Sequence, residues 1–178
     1  MKFLMIGILT MTLFGCIGSG QNSPISAQNE KTFPGVTGID LEGKDRQLPA
    51  AFSGRKNLVA VAFEREHQDA VNTWIPFAES QMASDPDVRF YEVPLIYEMM
   101  GITRMWVNNG MRSGIPDPAA RERTITVYTD RDVFTKALNM STDRIYMLLV
   151  DDTGKILWRA EGPRTDALEK SLKAALKK

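Results

Sequence analysis

The one cysteine and the one histidine are the most chemically distinctive side chains of this chain, and their positions limit what it can do. His67 stands in the run Glu64-Arg65-Glu66-His67-Gln68-Asp69. An imidazole beside Glu64, Glu66 or Asp69 has the parts of a general base, because a neighbouring carboxylate orients the ring and favours its charged form. The plainer alternative is a set of solvated charges with Asp69 capping a helix. No second His and no Ser nucleophile joins it to suggest hydrolysis. Cys16 closes Leu13-Phe14-Gly15-Cys16, after Lys2 and the apolar run of residues 3–14 (FLMIGILTMTLF). That is the layout of a secretory signal, and it is too short to span a bilayer as a mature helix. One Cys cannot form an intramolecular disulfide, and one Cys with one His cannot make the usual zinc site, so no metal and no cofactor is expected.

Residues 110–123 hold two Gly, two Pro and the arginines Arg112, Arg121 and Arg123, and read as a long loop of the kind that often carries function. Arg112 and Arg123 have the fork geometry to clamp a carboxylate or a phosphate. Alternatively they pair with Asp117, Glu122 and Asp130 and hold the loop itself together. The run Gly110-Met111-Arg112-Ser113-Gly114 lacks the Gly-Lys-Ser/Thr end of a P-loop. Met99 and Met100 share a helical face with Trp106 and are assigned to the core, whereas Met105 and Met111 are candidates for an exposed, adaptable apolar groove. Copper binding by methionine with His67 has no Met-x-x-Met or His-x-Met spacing behind it.

The frame that positions these groups is a single globular domain: 178 residues, 43% apolar, 25% charged, with 22 basic against 22 acidic side chains. This balance gives no basic surface for nucleic acid. Residues 1–15 are expected to be removed as a signal, residues 16–32 to form a lipidated Cys and a Gly/Ser/Asn-rich tether, and residues 33–178 to form the domain. Val36 to Leu41 and Arg46 to Leu48 flank a Gly-containing turn and predict an opening hairpin. Residues 58–63 (LVAVAF) predict a central strand buried on both faces, followed by an amphipathic helix over 69–83 kinked at Pro76, with Trp74 in the core. A second inner strand is predicted over 88–93, then a helix whose face is Ile96, Met99, Met100, Thr103, Trp106 and Val107, ending near Gly110. Strand 124–128, a short helix 133–138, a hairpin of 145–150 with 155–160, and a closing helix from Thr165 or Asp166 complete the order. Asp166 and Glu169 have capping-box spacing.

This order resembles the thioredoxin-like superfamily, which implies an α/β fold with a central mixed β-sheet flanked by helices on both faces. Redox members open the first helix with Cys-x-x-Cys, the second Cys standing five residues before the kinking Pro. Counting from Pro76 and from Phe63 leads to the same two positions, Gln68 and Val71, and neither holds sulfur. A thiolate at a helix N-terminus and a resolving thiol are the parts that disulfide exchange requires. The cis-Pro that faces this site in the superfamily also has no counterpart in Ser141-Thr142-Asp143-Arg144-Ile145.

A narrower resemblance rests on Phe63 to Gln68 leading into Trp74, on Gly110-Met111-Arg112-Ser113-Gly114-Ile115-Pro116, and on Arg121 to Asp130. It is to a cysteine-free branch related to the mitochondrial ATP-synthase assembly factor family, and implies a non-enzymatic helper. The N-terminal segment resembles a bacterial lipoprotein signal, which implies lipid attachment at Cys16 and a cell-envelope location facing the periplasm or exterior. Ile17 in place of Asp implies the outer membrane where the host has two. The expectation is therefore a lipid-anchored, non-redox binding or assembly factor. Its partners are the membrane and a protein client, and its binding face is built from Arg65, His67, Gln68, Arg112 and Arg123. The alternative is an enzyme of the same superfamily whose activity is cysteine-independent or depends on a partner's thiols.

Overall fold

The computed structural model describes residues 32–99, 101–129 and 131–178. The expected signal, Cys16 and the tether up to residue 31, together with Met100 and Asp130, lie outside the described residues.

The chain opens with the expected hairpin, β1 (Val36–Asp40) and β2 (Asp45–Leu48), paired antiparallel from Val36 opposite Leu48. Its turn is set locally: the Asp40 carboxylate accepts from the amides of Glu42 (3.0 Å) and Lys44 (2.9 Å), and Gly43 takes φ 84°, a conformation that favours glycine. The continuous apolar run becomes β3 (Lys56–Ala62), whose residues Leu58 to Val61 are buried on both faces. It pairs in parallel with β4 (Val88–Tyr97) on one side and antiparallel with β6 (Tyr146–Asp151) on the other. With β5 (Ile125–Thr129) and β7 (Ile156–Glu161) the sheet has seven strands in the order β2-β1-β5-β4-β3-β6-β7.

Alternation along the strands sends side chains to two cores. Val59, Val61, Tyr91, Val93, Ile125 and Val127 pack with Phe33, Phe52 and the helix α5 (Arg131–Leu138). Leu58, Ala60, Phe90 and Leu149 pack on the opposite face under α1 (Gln68–Asn72), α2 (Ile75–Ser84) and α6 (Asp166–Leu176). Helices thus cover both faces of a mixed sheet, as the order of elements predicts. Trp74 is fully buried, also as predicted, and its indole N–H donates to the Gly162 carbonyl at 3.1 Å.

Four local expectations are corrected. The single kinked helix over 69–83 is two helices, with Pro76 in the first turn of α2, where its missing N–H costs no intrahelical bond. Strand β4 runs on to Tyr97, because Leu95, Ile96 and Tyr97 pair with Val127, Tyr128 and Thr129; Pro94 falls between that ladder and the isolated Glu92–Thr124 bridge. The loop expected over 110–123 is largely helical: α3 (Gly101–Gly114) continues through Gly110, and α4 (Pro118–Arg123) follows. Helix α4 is capped by Asp117, which accepts from the amides of Ala119 and Ala120 at 3.0 and 3.2 Å. Finally α6 is capped by Thr165 rather than through a box with Asp166, since Glu169 is taken by Arg164 and Lys173.

Helix α3 departs furthest from its reading as a core helix. None of its described residues is buried, and Trp106, assigned to the core from its spacing, is 74% exposed.

Candidate functional site

The parallel strands β3, β4 and β5 end at one edge of the sheet, the position where open α/β sheets usually carry their sites. After Phe63 the chain makes a single 3-10 turn, Arg65–His67, and enters α1. His67 is part of that turn. Its Nδ1 accepts from the amides of Phe63 (3.2 Å) and Glu64 (3.4 Å), and its ring stands edge-on to Phe63. An Nδ1 that accepts leaves the proton on Nε2, so the ring is oriented by main chain where a carboxylate-held base would need its Nδ1–H. Asp69 lies in the first turn of α1 and is not its cap, because the helix begins one residue earlier.

Gln68 and Val71 stand at the strand-to-helix corner where the superfamily keeps its thiols. Val71 is a core residue at 2% exposure. Gln68 is exposed, and its amide donates to Asn72 Oδ1 at 3.0 Å and to Glu92 Oε2 at 3.4 Å. Glu92 lies in the middle of β4, and burial pushes its carboxyl up, against the hydrogen bond from Gln68 and the positive charge of Arg123. Gln68 thus reaches one half-buried carboxyl group, and the charge of Arg123, far away in sequence, acts on the same group. The Arg123 Nε is itself buried and has no hydrogen-bond partner among the described residues. Arg65 is exposed on the 3-10 turn.

Arg112 is held elsewhere. Its guanidinium donates to the Leu41 carbonyl (3.2 Å) and to Glu42 (3.1 Å), while Arg121 donates to the same carboxylate and to the carbonyls of Ile115 and Pro116. The hydrogen bond from Arg121, helped by the charge of Arg112, holds the Glu42 carboxyl below the usual carboxylate range. Arginine pairing thus does fix this segment, but the acid is on the opening hairpin: Asp117 caps α4 and Glu122 pairs with Lys44 at 3.1 Å. Of the five candidate face residues, Arg65, His67 and Gln68 share the corner. Arg123 is linked to them only by its charge acting on Glu92, and Arg112 is held at Glu42.

Two residues of the candidate site are missing from the sequence reading. Glu92 is hidden in a strand-like run, VRFYEV, where a carboxylate reads as solvent-facing. Arg131 is the second. It opens α5 at 3% exposure, and its guanidinium donates to the carbonyls of Phe63 and Leu95 (3.0 Å for the latter) and to Glu64 Oε1 (2.9 Å). Tyr97 lies over it at 4.3 Å and Phe63 at 5.7 Å. One arginine therefore ties together the C-terminal ends of β3 and β4. No periodicity in its neighbourhood marks it.

On the other side of the corner, residues 141–145 carry Asp143 and Arg144, paired at 2.9 and 2.8 Å, with Arg144 also reaching Glu161 at 3.1 Å. The Arg144 hydrogen bonds hold Asp143 well below the usual carboxylate range. The only cis peptide among the described residues is Leu48–Pro49, at the end of β2. No group of three or more His, Cys, Asp or Glu converges among the described residues, and no helix among them is long and apolar enough to cross a membrane.

A mixed sheet between two helical layers, with a strand-to-helix corner at its parallel edge, defines a thioredoxin-like protein, here with no cysteine in residues 32–178. Solved structures agree on the fold. The thioredoxin domain of a thiol-disulfide oxidoreductase from Bacteroides vulgatus matches with a TM-score of 0.51 at 19% identity, covering 84% of this chain and 98% of its own. A thiol:disulfide interchange protein from Bacteroides sp. matches at 0.53 and 18%, covering 84% and 91%. BsSco, a member of the Sco family of cytochrome c oxidase assembly proteins, matches at 0.54 and 13%, covering 87% and 96%. No curated protein matches significantly. The family model described as ATP10 protein matches residues 17–178, and the chain belongs to this family of thioredoxin-like assembly factors.

Proposed function

We propose that this protein is a lipid-anchored assembly factor of the cell envelope that binds a protein client and performs no thiol chemistry. The observation that carries the reading is the composition of the corner. The chain's single cysteine is Cys16, and the two corner positions hold an exposed amide, Gln68, and a core valine, Val71. Neither side chain forms a thiolate, so the corner lacks both the nucleophile and the resolving group of disulfide exchange. Membership of an assembly-factor family supports a binding role. The candidate binding surface is Arg65, His67 and Gln68 with Glu92 and Arg123 behind them. Arg112 serves instead to clamp α3 to the hairpin, as Arg121 does for α4.

Three measurements test this. The full chain with Cys16→Ser, which contains no thiol, is expected to show no insulin or peroxide reduction above a buffer blank, and turnover there would refute the non-redox reading. Radiolabelled palmitate is expected to label the wild-type chain in bacterial cells and not the Cys16→Ser chain. Capture from native membranes, with the Gln68→Lys/Arg123→Glu double variant as control, is expected to retain a client that the variant loses.

A further inference from the structure

Helix α3 is attached to the body by a mixed side. The residues it half-buries are Arg104, Val107, Asn108 and Met111. Tyr128 of β5 donates to Asn108 Oδ1 at 2.7 Å and to the Arg104 carbonyl at 3.3 Å, the Arg104 guanidinium covers the Tyr128 ring at 4.9 Å, and Arg112 reaches Leu41 and Glu42. The side turned outward carries Ile102 (73% exposed), Met105 (56%) and Trp106 (74%), at the i, i+3, i+4 spacing of one helical stripe. A soluble helix ordinarily buries its largest apolar side chains against the core, and this one leaves Ile102, Met105 and Trp106 facing outward.

The chain outside the described residues bears on what covers the stripe. Fifteen residues, 17–31, separate Cys16 from Thr32, and a peptide of that length spans at most about 50 Å. An acyl chain on Cys16 would keep Thr32, and with it the folded domain that carries α3, tethered within that reach of a bilayer, at an effective concentration that makes even a weak surface affinity productive. The composition of α3 matches such a surface: a Trp with apolar neighbours on the outward side, and no Asp or Glu within the helix to oppose phosphate headgroups.

We propose that the Ile102–Met105–Trp106 stripe of α3 is a membrane-interface docking face that lies on the lipid headgroup boundary and so fixes the orientation of the anchored domain. The proposal rests on the anchoring at Cys16, and its test separates the two. Of the three tryptophans, Trp74 and Trp158 are buried, so Trp106 alone reports on the surface. The unlipidated full chain is coupled through its only thiol, Cys16, to phosphatidylcholine vesicles containing a minority of phosphatidylglycerol and maleimide-headgroup lipid. Attachment is then guaranteed whatever the cell does to Cys16.

Docking predicts a blue shift of Trp106 emission, quenching by brominated lipid, and a fall of at least about threefold in its acrylamide quenching. Ile102→Ser/Met105→Ser, two substitutions at exposed positions, should abolish these changes while the coupled fraction and the circular dichroism stay as in wild type. A Trp106 signal unchanged on coupling overturns the docking face, as does a signal that the double variant retains. So does protection of Trp106 that tracks protein concentration without vesicles, which would make the occupant a second copy. Failure of Cys16 to acquire lipid in cells, with Trp106 still quenched on coupled vesicles, would instead remove the anchor reading and leave the surface affinity of α3 standing.

Discussion

At the scale of single residues, the corner is held by groups whose partners are main-chain atoms. Arg131 is the clearest case. It neutralises Glu64 and satisfies the carbonyls that end β3 and β4, so Arg131→Ala would leave those acceptors and a neighbouring carboxylate without their donor. A loss of about 1–3 kcal/mol in urea unfolding is expected for Arg131→Ala, from the stranded carbonyls rather than from Glu64, which is half exposed. Arg131→Lys should recover only part of it, because one ammonium does not reproduce the planar fork. His67→Ala removes an acceptor for two amides and should cost about 1 kcal/mol in the same measurement.

Glu92 and Glu42 have opposite signs in their pH dependence. Burial raises the Glu92 carboxyl in the folded state, so the native protein holds the proton more tightly, and stability falls as pH rises from the ordinary carboxylate range through the raised folded value. Glu92→Gln should therefore raise the melting temperature at neutral pH and leave it unchanged at acid pH, below the ordinary Glu range. Glu42 is lowered by Arg121 and Arg112, so its contribution is present above the ordinary range and is lost as pH falls through its folded value. Glu42→Gln should lower the melting temperature at neutral pH and converge on wild type in acid. Scans of both variants from acid to neutral pH check the two signs together.

Elements follow from local chemistry where the chemistry is local. The hairpin turn, the central strand and the cap at Asp117 each rest on side chains within a few residues of the backbone they organise. Helix α3 does not. Its apolar positions read as an inward face because periodicity reports which residues share a side and carries no information on whether that side meets protein or something else. The extension of β4 was illegible for a related reason: Leu95 to Tyr97 become strand through pairing with β5, some thirty residues onward. Close approach of β1 to β5 gives an element-scale prediction. A Cβ at Gly38 would come 2.5 Å from Ile125 Cγ2 and 3.0 Å from the Thr126 carbonyl. Gly38→Ala should cost about 1–3 kcal/mol and loosen β1 first, read as faster amide hydrogen exchange in β1 and β2 than in β3.

For the whole molecule, the arrangement separates a rigid frame from two candidate surfaces. The corner built on Arg65, His67 and Gln68 lies at the parallel edge of the sheet. The α3 stripe belongs to a helix clamped to the first hairpin by Arg112, and Arg121 next to it anchors α4 to the same Glu42. Glu42→Ala should therefore loosen α3 and α4 together, seen as faster hydrogen exchange in both helices while β3 and β6 stay protected.

The order of the seven strands, the double burial of residues 58–61, and the lack of sulfur at the corner are all readable from the chain alone. Each depends on residue type and short-range spacing, which sequence records directly. Only tertiary structure brings Gln68 to Glu92, sends Arg112 to Glu42, buries Arg131 between two strand ends and turns Trp106 outward. These are contacts between segments distant in sequence. A side chain's partner across such a distance is chosen by how the sheet brings segments together, and no local propensity specifies that choice.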